Sequence, residues 1–317
     1  MSKLIVPTYQ TGFARHPSES SAPELRRDLI CAWSPFLGAT GLILRDWTPY
    51  RRHADLSGGM TEAGSWVVDE KIHALDFNGT TNFVEHAAEF VGDYPFTLEG
   101  WVKGDSNVGM HSIISFADTD IFTTYYAIYL VDGFPRLTAR TSTIESIISP
   151  DSIIDGNWHH IVGVFASPTY RELVVDGVSK GTDTASISYW WWKIDTCLIG
   201  LLRKANPVGY FDGRISSARI YSYALSLGRI AQHYGDRFAM WELAARKLLP
   251  YMRPRLQLTA TAAATTTIAG SLTIGKTESM TATAAASTTA TGSLTVTEWT
   301  AGGFIRSTSG KGVGGYF

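Results

Sequence analysis

A retaining glycoside hydrolase needs two carboxyl groups roughly 5–5.5 Å apart, and a β-strand supplies them with acids at i and i+2 or i+4. No Glu in this chain is followed two residues later by Asp. Asp118-Thr119-Asp120 has the spacing but no accompanying Glu, and it reads as a loop. Glu172 and Asp176 are four apart, yet Asp176 is needed by an Asp-Gly turn. Cys31 and Cys197, the only cysteines, lie far apart and make a poor thiol nucleophile. His159-His160 invites a metal reading, but adjacent strand residues point to opposite faces. Packing beside Trp158 is therefore the expectation there. The chain is expected to be no enzyme, with no catalytic residue, no metal ligand and no cofactor.

The sharper signal is aromatic. Tyr189-Trp190-Trp191-Trp192 places four such residues in a row. In an extended segment Trp190 and Trp192 take one face, and Tyr189 and Trp191 the other. One pair can be core; the other then meets a sugar ring or a partner protein, to which an indole offers flat apolar surface. A second cluster, Tyr125-Tyr126-Ala127-Ile128-Tyr129, alternates likewise and reads as a strand.

The elements that position these residues must enclose a sizeable core. Of 317 residues, 44% are hydrophobic and 12% aromatic, while 30 Gly and only 18% charged residues suit many short strands and tight turns. A formal net charge of -2 with no basic run offers no cationic stripe for phosphates, so nucleic-acid binding is not expected. No apolar stretch reaches the roughly 18 residues of a membrane-spanning helix. Met1-Ser2-Lys3-Leu4-Ile5-Val6-Pro7 lacks the apolar region of a secretory signal. Cys31 and Cys197 either pair or remain two buried thiols.

By composition the chain has four parts. Residues 1–24, with Pro7, Pro17 and Pro23, read as an extended arm. Residues 25–225 alternate in the period-2 manner of half-buried strands, as in 96–102, 159–165 and 171–175. Asn78-Gly79, Asp132-Gly133, Asp155-Gly156, Asp176-Gly177 and Asp212-Gly213 read as turns between them. Together these predict an antiparallel sandwich. In residues 226–254 apolar side chains at Ile230, Ala231, Tyr234, Phe238, Trp241, Ala245 and Leu248 predict an amphipathic helical connector, with a possible break near Gly235. Residues 255–317 repeat: Leu258–Ile274 returns as Met280–Val296, an offset of 280 − 258 = 22. A Thr-rich alternation around a central Gly-Ser predicts one β-hairpin per repeat. Such hairpins are marginal alone, so Leu258, Ile268, Leu272, Ile274, Leu294, Val296 and Trp299 are candidate assembly residues.

Asp155-Gly156-Asn157-Trp158-His159-His160, leading into Ile161–Phe165, resembles the central strand signature of laminin-G-like domains. Glu172–Gly177 resembles the hairpin that follows it, and Phe211–Ile215 with Ala218–Tyr221 resembles the closing strand. Ala74–Gly79 and Phe96–Val102 resemble the opening strands. The order of these motifs over about residues 70–226 is similar to the laminin-G/concanavalin A-like family. That resemblance implies a two-sheet antiparallel jelly roll that binds glycans or proteins, often with calcium, with glycosidases among its cousins. Calcium is disfavoured here. Where such domains commonly carry acids, this chain has Asn78-Gly79-Thr80-Thr81-Asn82 and Ile215-Ser216-Ser217, and calcium wants several carboxylates among its oxygen ligands.

The resulting expectation is an all-β, non-catalytic structural or assembly protein: jelly-roll head, N-terminal arm, helical connector and β-repeat tail. An exterior virion component of the phage-like kind suits it, with copies of itself and other structural proteins as partners, and cell-surface glycans as a further one. The alternatives are a carbohydrate-binding adhesion module and, behind it, a degenerate glycoside hydrolase.

Overall fold

The computed structural model describes residues 12–88, 93–120, 124–187, 194–202 and 206–244, with three further strands between 273 and 310. It forms two compact units, 1–247 and 248–317.

The first unit holds two antiparallel sheets. One runs β14 (Val178–Asp183), β13 (Tyr170–Val175), β12 (His159–Ser167), β7 (Phe96–Gly104), β16 (Asp212–Tyr221), β5 (Ile72–Asn78), β4 (Trp66–Asp69), and β1 (Leu29–Trp33) also pairs with β16. The other runs β11 (Ile144–Ile148), β10 (Phe134–Arg140), β9 (Tyr125–Val131), β8 (Met110–Ala117), β15 (Thr196–Ile199), β6 (Phe83–His86), β3 (Ala54–Ser57), β2 (Ile43–Leu44). The all-β antiparallel sandwich that the alternation predicts is thus the observed fold.

Between the sheets lies the main core. Phe96, Leu98 and Val102 of β7, Ile161 and Phe165 of β12, and Leu173 and Val175 of β13 face inward, where they meet Phe116, Tyr126, Ile128 and Leu137 of the second sheet. Phe96 and Phe165 stack at 4.5 Å. Gly163 lets the opposite sheet approach closely: a Cβ there would lie 2.4 Å from Leu137 Cδ1.

The alternate residues of the first sheet are also buried, which a sandwich with one solvated face would not require. Val162, Val164, Val174 and Tyr221 enter a second apolar cluster with Phe36, Ile230, Phe238 and Trp241. Its lid is built from both ends of the unit. Helix α2 (Leu227–Gly235; α1 is the single turn Glu62–Ser65) and a 3-10 turn (Ala239–Trp241) come from the C-terminal side. The stretch read as an extended arm comes from the other: from Gly12 onward it docks, with Ala14 N donating to Trp241 O at 2.8 Å and Ser20 Oγ to Met240 O at 2.9 Å. Indoles and aromatic rings at Phe36 and Trp241, stacked at 5.6 Å, give the arm apolar surface to bury. The helix is shorter than its periodicity suggests, because Gly235 ends it and Asp236 N caps back to Gln232 O. Ala245, Leu248 and the remainder of the connector lie outside the described residues.

Turn chemistry behaves as read at Asp132-Gly133 and Asp176-Gly177, where both residues take positive φ and join β9 to β10 and β13 to β14. Asp212-Gly213 does not form a turn; it lies within β16. Gly213 sits there at φ 126 with its missing Cβ 2.3 Å from Lys103 O, so this glycine serves a close approach of two backbones. Both cysteines are buried and free.

In the second unit β17 (Thr273–Ile274) pairs in parallel with β18 (Leu294–Trp299), which pairs antiparallel with β19 (Ile305–Gly310). Thr273 faces Thr295 and Ile274 faces Val296, an offset of 295 − 273 = 22, the repeat length. The described hairpin is therefore β18–β19, in which Leu294 faces Gly310 and Trp299 faces Ile305. The described repeat strands follow the Gly-Ser pairs rather than flank them, and they pair with each other. Leu258, Ile268 and Leu272 lie outside the described residues.

Candidate functional site

The outer face of the first sheet, beneath α2, carries the polar chemistry of the head. Period-2 alternation sends Thr97, Glu99 and Trp101 to this face of β7 while Phe96, Leu98 and Val102 go to the core. His160 of β12 and Arg219 of β16 arrive beside them by register, since His160 pairs with Trp101 and Arg219 with Glu99. From above, α2 contributes His233 and Tyr234.

Glu99 is the hub. It is 1% exposed, and burying a carboxylate is costly unless donors replace water. Arg219 Nη1 donates to Oε1 at 2.7 Å and His233 Nδ1 meets Oε2 at 2.8 Å. His160 Nε2 lies 3.1 Å from Oε1 but out of line for a hydrogen bond, and its Nδ1 has no partner among the described residues. Burial pushes the Glu99 carboxyl up, yet His233 and Arg219 outweigh it and hold the group well below the usual range. His160 goes the other way, its pKa lowered by burial. Arg219 Nη2 donates to the carbonyl of Arg237 at 2.6 Å, which ties this buried network to the turn after α2.

That turn forms one wall of a cleft of about 290 Å³, lined by Trp101, Trp158, Tyr234, Arg237, Asn157 and Glu70, with Ile72 and Gly235. Trp101 stacks on His160 at 4.9 Å and on Tyr234 at 5.9 Å. The Arg237 guanidinium lies 4.0 Å from the Trp101 ring centre and 5.3 Å from that of Trp158. Burial and neighbouring Arg219 pull its pKa down to about 9, so it is charged at neutral pH. Trp101 Nε1, Trp158 Nε1 and Arg237 Nη2 are buried with no acceptor among the described residues. The cleft thus has aromatic walls with unpaired donors buried in them. In the sequence Trp158 signals packing and Tyr234 a helix stripe, whereas Arg237 carries no local signal. Trp101 was detectable, because it sits on the strand face opposite Phe96, Leu98 and Val102.

His159 and His160 do diverge as their spacing requires. His159 bridges Asp176 Oδ2 at 2.7 Å and Asp155 Oδ1 at 2.9 Å, and Asp176 Oδ1 accepts from His160 N at 2.8 Å. This locks two Asp-Gly loops together beside the cleft. Asn78 organises its own loop by accepting the N–H groups of Thr80, Thr81 and Asn82.

Asp118 and Asp120 are joined by Asp195 in a cluster whose carboxylate oxygens lie within 4.8 Å of one another. Asp195 was not a sequence candidate, being 75 residues from Asp120. Asp118 accepts from Asp120 N and Asp195 from Thr119, so the cluster is knitted as a loop. The letters Gly-x-Ser-x-Gly occur at Gly177–Gly181, on an antiparallel hairpin rather than the strand-to-helix elbow that exposes a nucleophile. Tyr125–Tyr129 is strand β9, with Tyr126 and Ile128 in the main core and Tyr125 and Tyr129 in a smaller cluster. Tyr189, Trp190, Trp191 and Trp192 lie outside the described residues; Ile187 and Ile194, on either side, are buried in the main core.

Residues 78–231 match a laminin G family model described as the concanavalin A-like lectin/glucanases superfamily. No curated protein matches the sequence. Among solved structures the chain is similar to domain 4 of a GH43 extracellular arabinanase from Geobacillus stearothermophilus, in complex with arabinotriose. That similarity has 19% identity and a TM-score of 0.53, covering 65% of this chain and 97% of that one. The binding domain of Paraclostridial Mosquitocidal Protein 1 follows at 14% identity and TM-score 0.51, covering 66% of this chain and 52% of that one. The receptor binding domain of botulinum neurotoxin C/D mosaic serotype has 13% identity and TM-score 0.50, with 66% and 51% covered. The chain spans about half of these two toxin domains. At such identities the likeness is one of fold, a β-sandwich.

Proposed function

From the premise that the head, matched over residues 78–231, belongs to the concanavalin A-like lectin/glucanase superfamily, we propose that the protein is a non-catalytic glycan-binding module borne on an assembly tail. The observation that carries the binding half is the cleft of Trp101, Trp158 and Tyr234, where indole and phenol rings meet donors without acceptors. Sugar rings present an apolar C–H face to such surfaces and oxygen acceptors at their edges. The arabinanase domain with arabinotriose bound is a sandwich of the same kind, which supports this use of the fold. Full-length protein on a glycan array is expected to bind at least one oligosaccharide. Trp158→Ala should weaken that binding tenfold or more with unchanged circular dichroism. An array blank for the parent chain would defeat the reading. Hydrolysis of a polysaccharide, abolished in Asp118→Asn, would reverse the non-catalytic part.

The assembly half rests on the tail, where Ile274 and Val296 pair in parallel at the repeat offset. Stacked equivalents of one repeat leave outer strands open to neighbours, so copies of this chain and other structural proteins are the partners we assign to it. Tyr189, Trp190, Trp191 and Trp192, outside the described residues, are further residues we assign to glycan or partner contact. The exterior of a virion suits a glycan-reading head on such a tail; no helix of the described residues is long and apolar enough to cross a membrane. Light scattering should give an oligomer for the full chain and a smaller species for residues 1–247. A monomer in both would remove the assembly half.

A further inference from the structure

We infer, resting on the glycan-binding reading of the cleft, that its ligand is an acidic sugar whose carboxylate is taken by Arg237. Arg237 is 5% exposed, forms no ion pair among the described residues, and its Nη2 is buried without a hydrogen-bond partner there. An unpaired buried cation is costly, and an ion left so in a folded protein calls for a missing anion. Stacking on Trp101 at 4.0 Å offsets part of that cost but leaves the Nη2 N–H groups without an acceptor among the described residues.

The nearby carboxylates are already engaged. Glu70 at the cleft is 3.2 Å from Lys103 Nζ, Glu99 is filled by Arg219 and His233, and Asp176 is held by His159. Among the described residues no acid therefore closes on Arg237. The cation is also fixed in place: its carbonyl accepts from Arg219, and Asp236 Oδ1 accepts from Phe238 N at 3.0 Å. Trp101 Nε1 and Trp158 Nε1 add two more donors without acceptors at the same cleft. A carboxylate is planar and matches the guanidinium fork with two parallel bonds. The pyranose ring that carries it supplies the apolar face for the indoles and hydroxyls for Asn157. A bare anion would leave the aromatic walls unused, and a neutral sugar would leave Arg237 unpaired.

The test is calorimetric titration of the full chain with oligosaccharides ending in glucuronic, galacturonic or sialic acid, each beside its methyl ester. At least one acid should bind tenfold or more tightly than its ester. Arg237→Met should abolish that preference while its melting temperature holds or rises, since an uncompensated buried charge is removed. Arg237→Lys keeps charge but loses the fork, and is expected to lower the preference several-fold; it carries the test if the Met variant fails to fold. An acid-to-ester ratio unchanged in a folded Arg237 variant would overturn the inference. Acid and ester bound alike, with both lost in Trp158→Ala, overturns the acidic ligand and leaves glycan binding standing. No sugar bound by the parent overturns both.

Discussion

Glu99 has both carboxylate oxygens taken by buried partners, Arg219 and His233, and Arg219 reaches on to the backbone of Arg237. Removing it strands Arg219 without a counter-charge and His233 Nδ1 without its partner. Glu99→Ala is expected to cost about 3–5 kcal/mol in chemical denaturation, the range for breaking a buried pair. It should also weaken ligand binding, because the Arg237 turn loses its tether. The neighbouring histidines make opposite demands on pH. Burial works against protonated His159, but bonds to Asp176 and Asp155 outweigh it and raise its pKa above 6.5. Its contribution is complete below that value and is lost as pH rises through the raised pKa. His160 has its pKa lowered below 6.5 by burial, so its contribution is complete above 6.5 and is lost as pH falls through the lowered value. Melting temperature against pH should therefore fall on both sides. His159→Gln should flatten the alkaline limb and leave the acid one; a His159→Gln curve with the parent's alkaline slope would show that the Asp155–His159–Asp176 bridge contributes nothing.

At the scale of elements, β7 is read from both faces. Its inward residues build the main core and its outward residues build the site, so one nine-residue strand serves both. The pattern Phe96, Leu98, Val102 was legible as a strand. That Thr97, Glu99 and Trp101 would also be buried was not, because alternation only says that two faces differ. Which cover the second face receives depends on α2 and the arm, elements distant in sequence. Gly163 on β12 illustrates the same dependence. It looks like a weak strand residue, yet a methyl group there would meet Leu137 and Ile128 at 2.4 and 2.7 Å. Gly163→Ala is expected to lose about 1–3 kcal/mol by overpacking, seen as a lower urea midpoint at constant slope. Helix α2 itself was legible in the spacing of Ile230, Ala231 and Tyr234, and its end in Gly235. The burial of its His233 against Glu99 was not.

For the molecule as a whole, the described parts of the arm and connector, residues 12–24 and 226–244, close over the head as a lid, and residues 248–317 form a second unit. The two thiols belong to the head's interior: burial raises both well above the usual value, and for Cys31 the nearby Asp46 adds to it. Neither Cys31 nor Cys197 should react with Ellman's reagent in the native protein at neutral pH, and both should react in guanidinium. Fast native labelling of either would contradict the burial of the sandwich interior.

By itself the sequence determined the period-2 strands, most of their Asx-Gly turns, the family resemblance of the head and the repeat length of the tail. Each of these depends on neighbours along the chain or on spacing within it. Only the tertiary structure decided which residues meet. It set Arg237 on Trp101, brought Glu99, Arg219 and His233 from three elements to one buried point, and paired Ile274 with Val296. Those contacts join residues up to 136 positions apart, and hydrophobic periodicity carries no information about partners at that range.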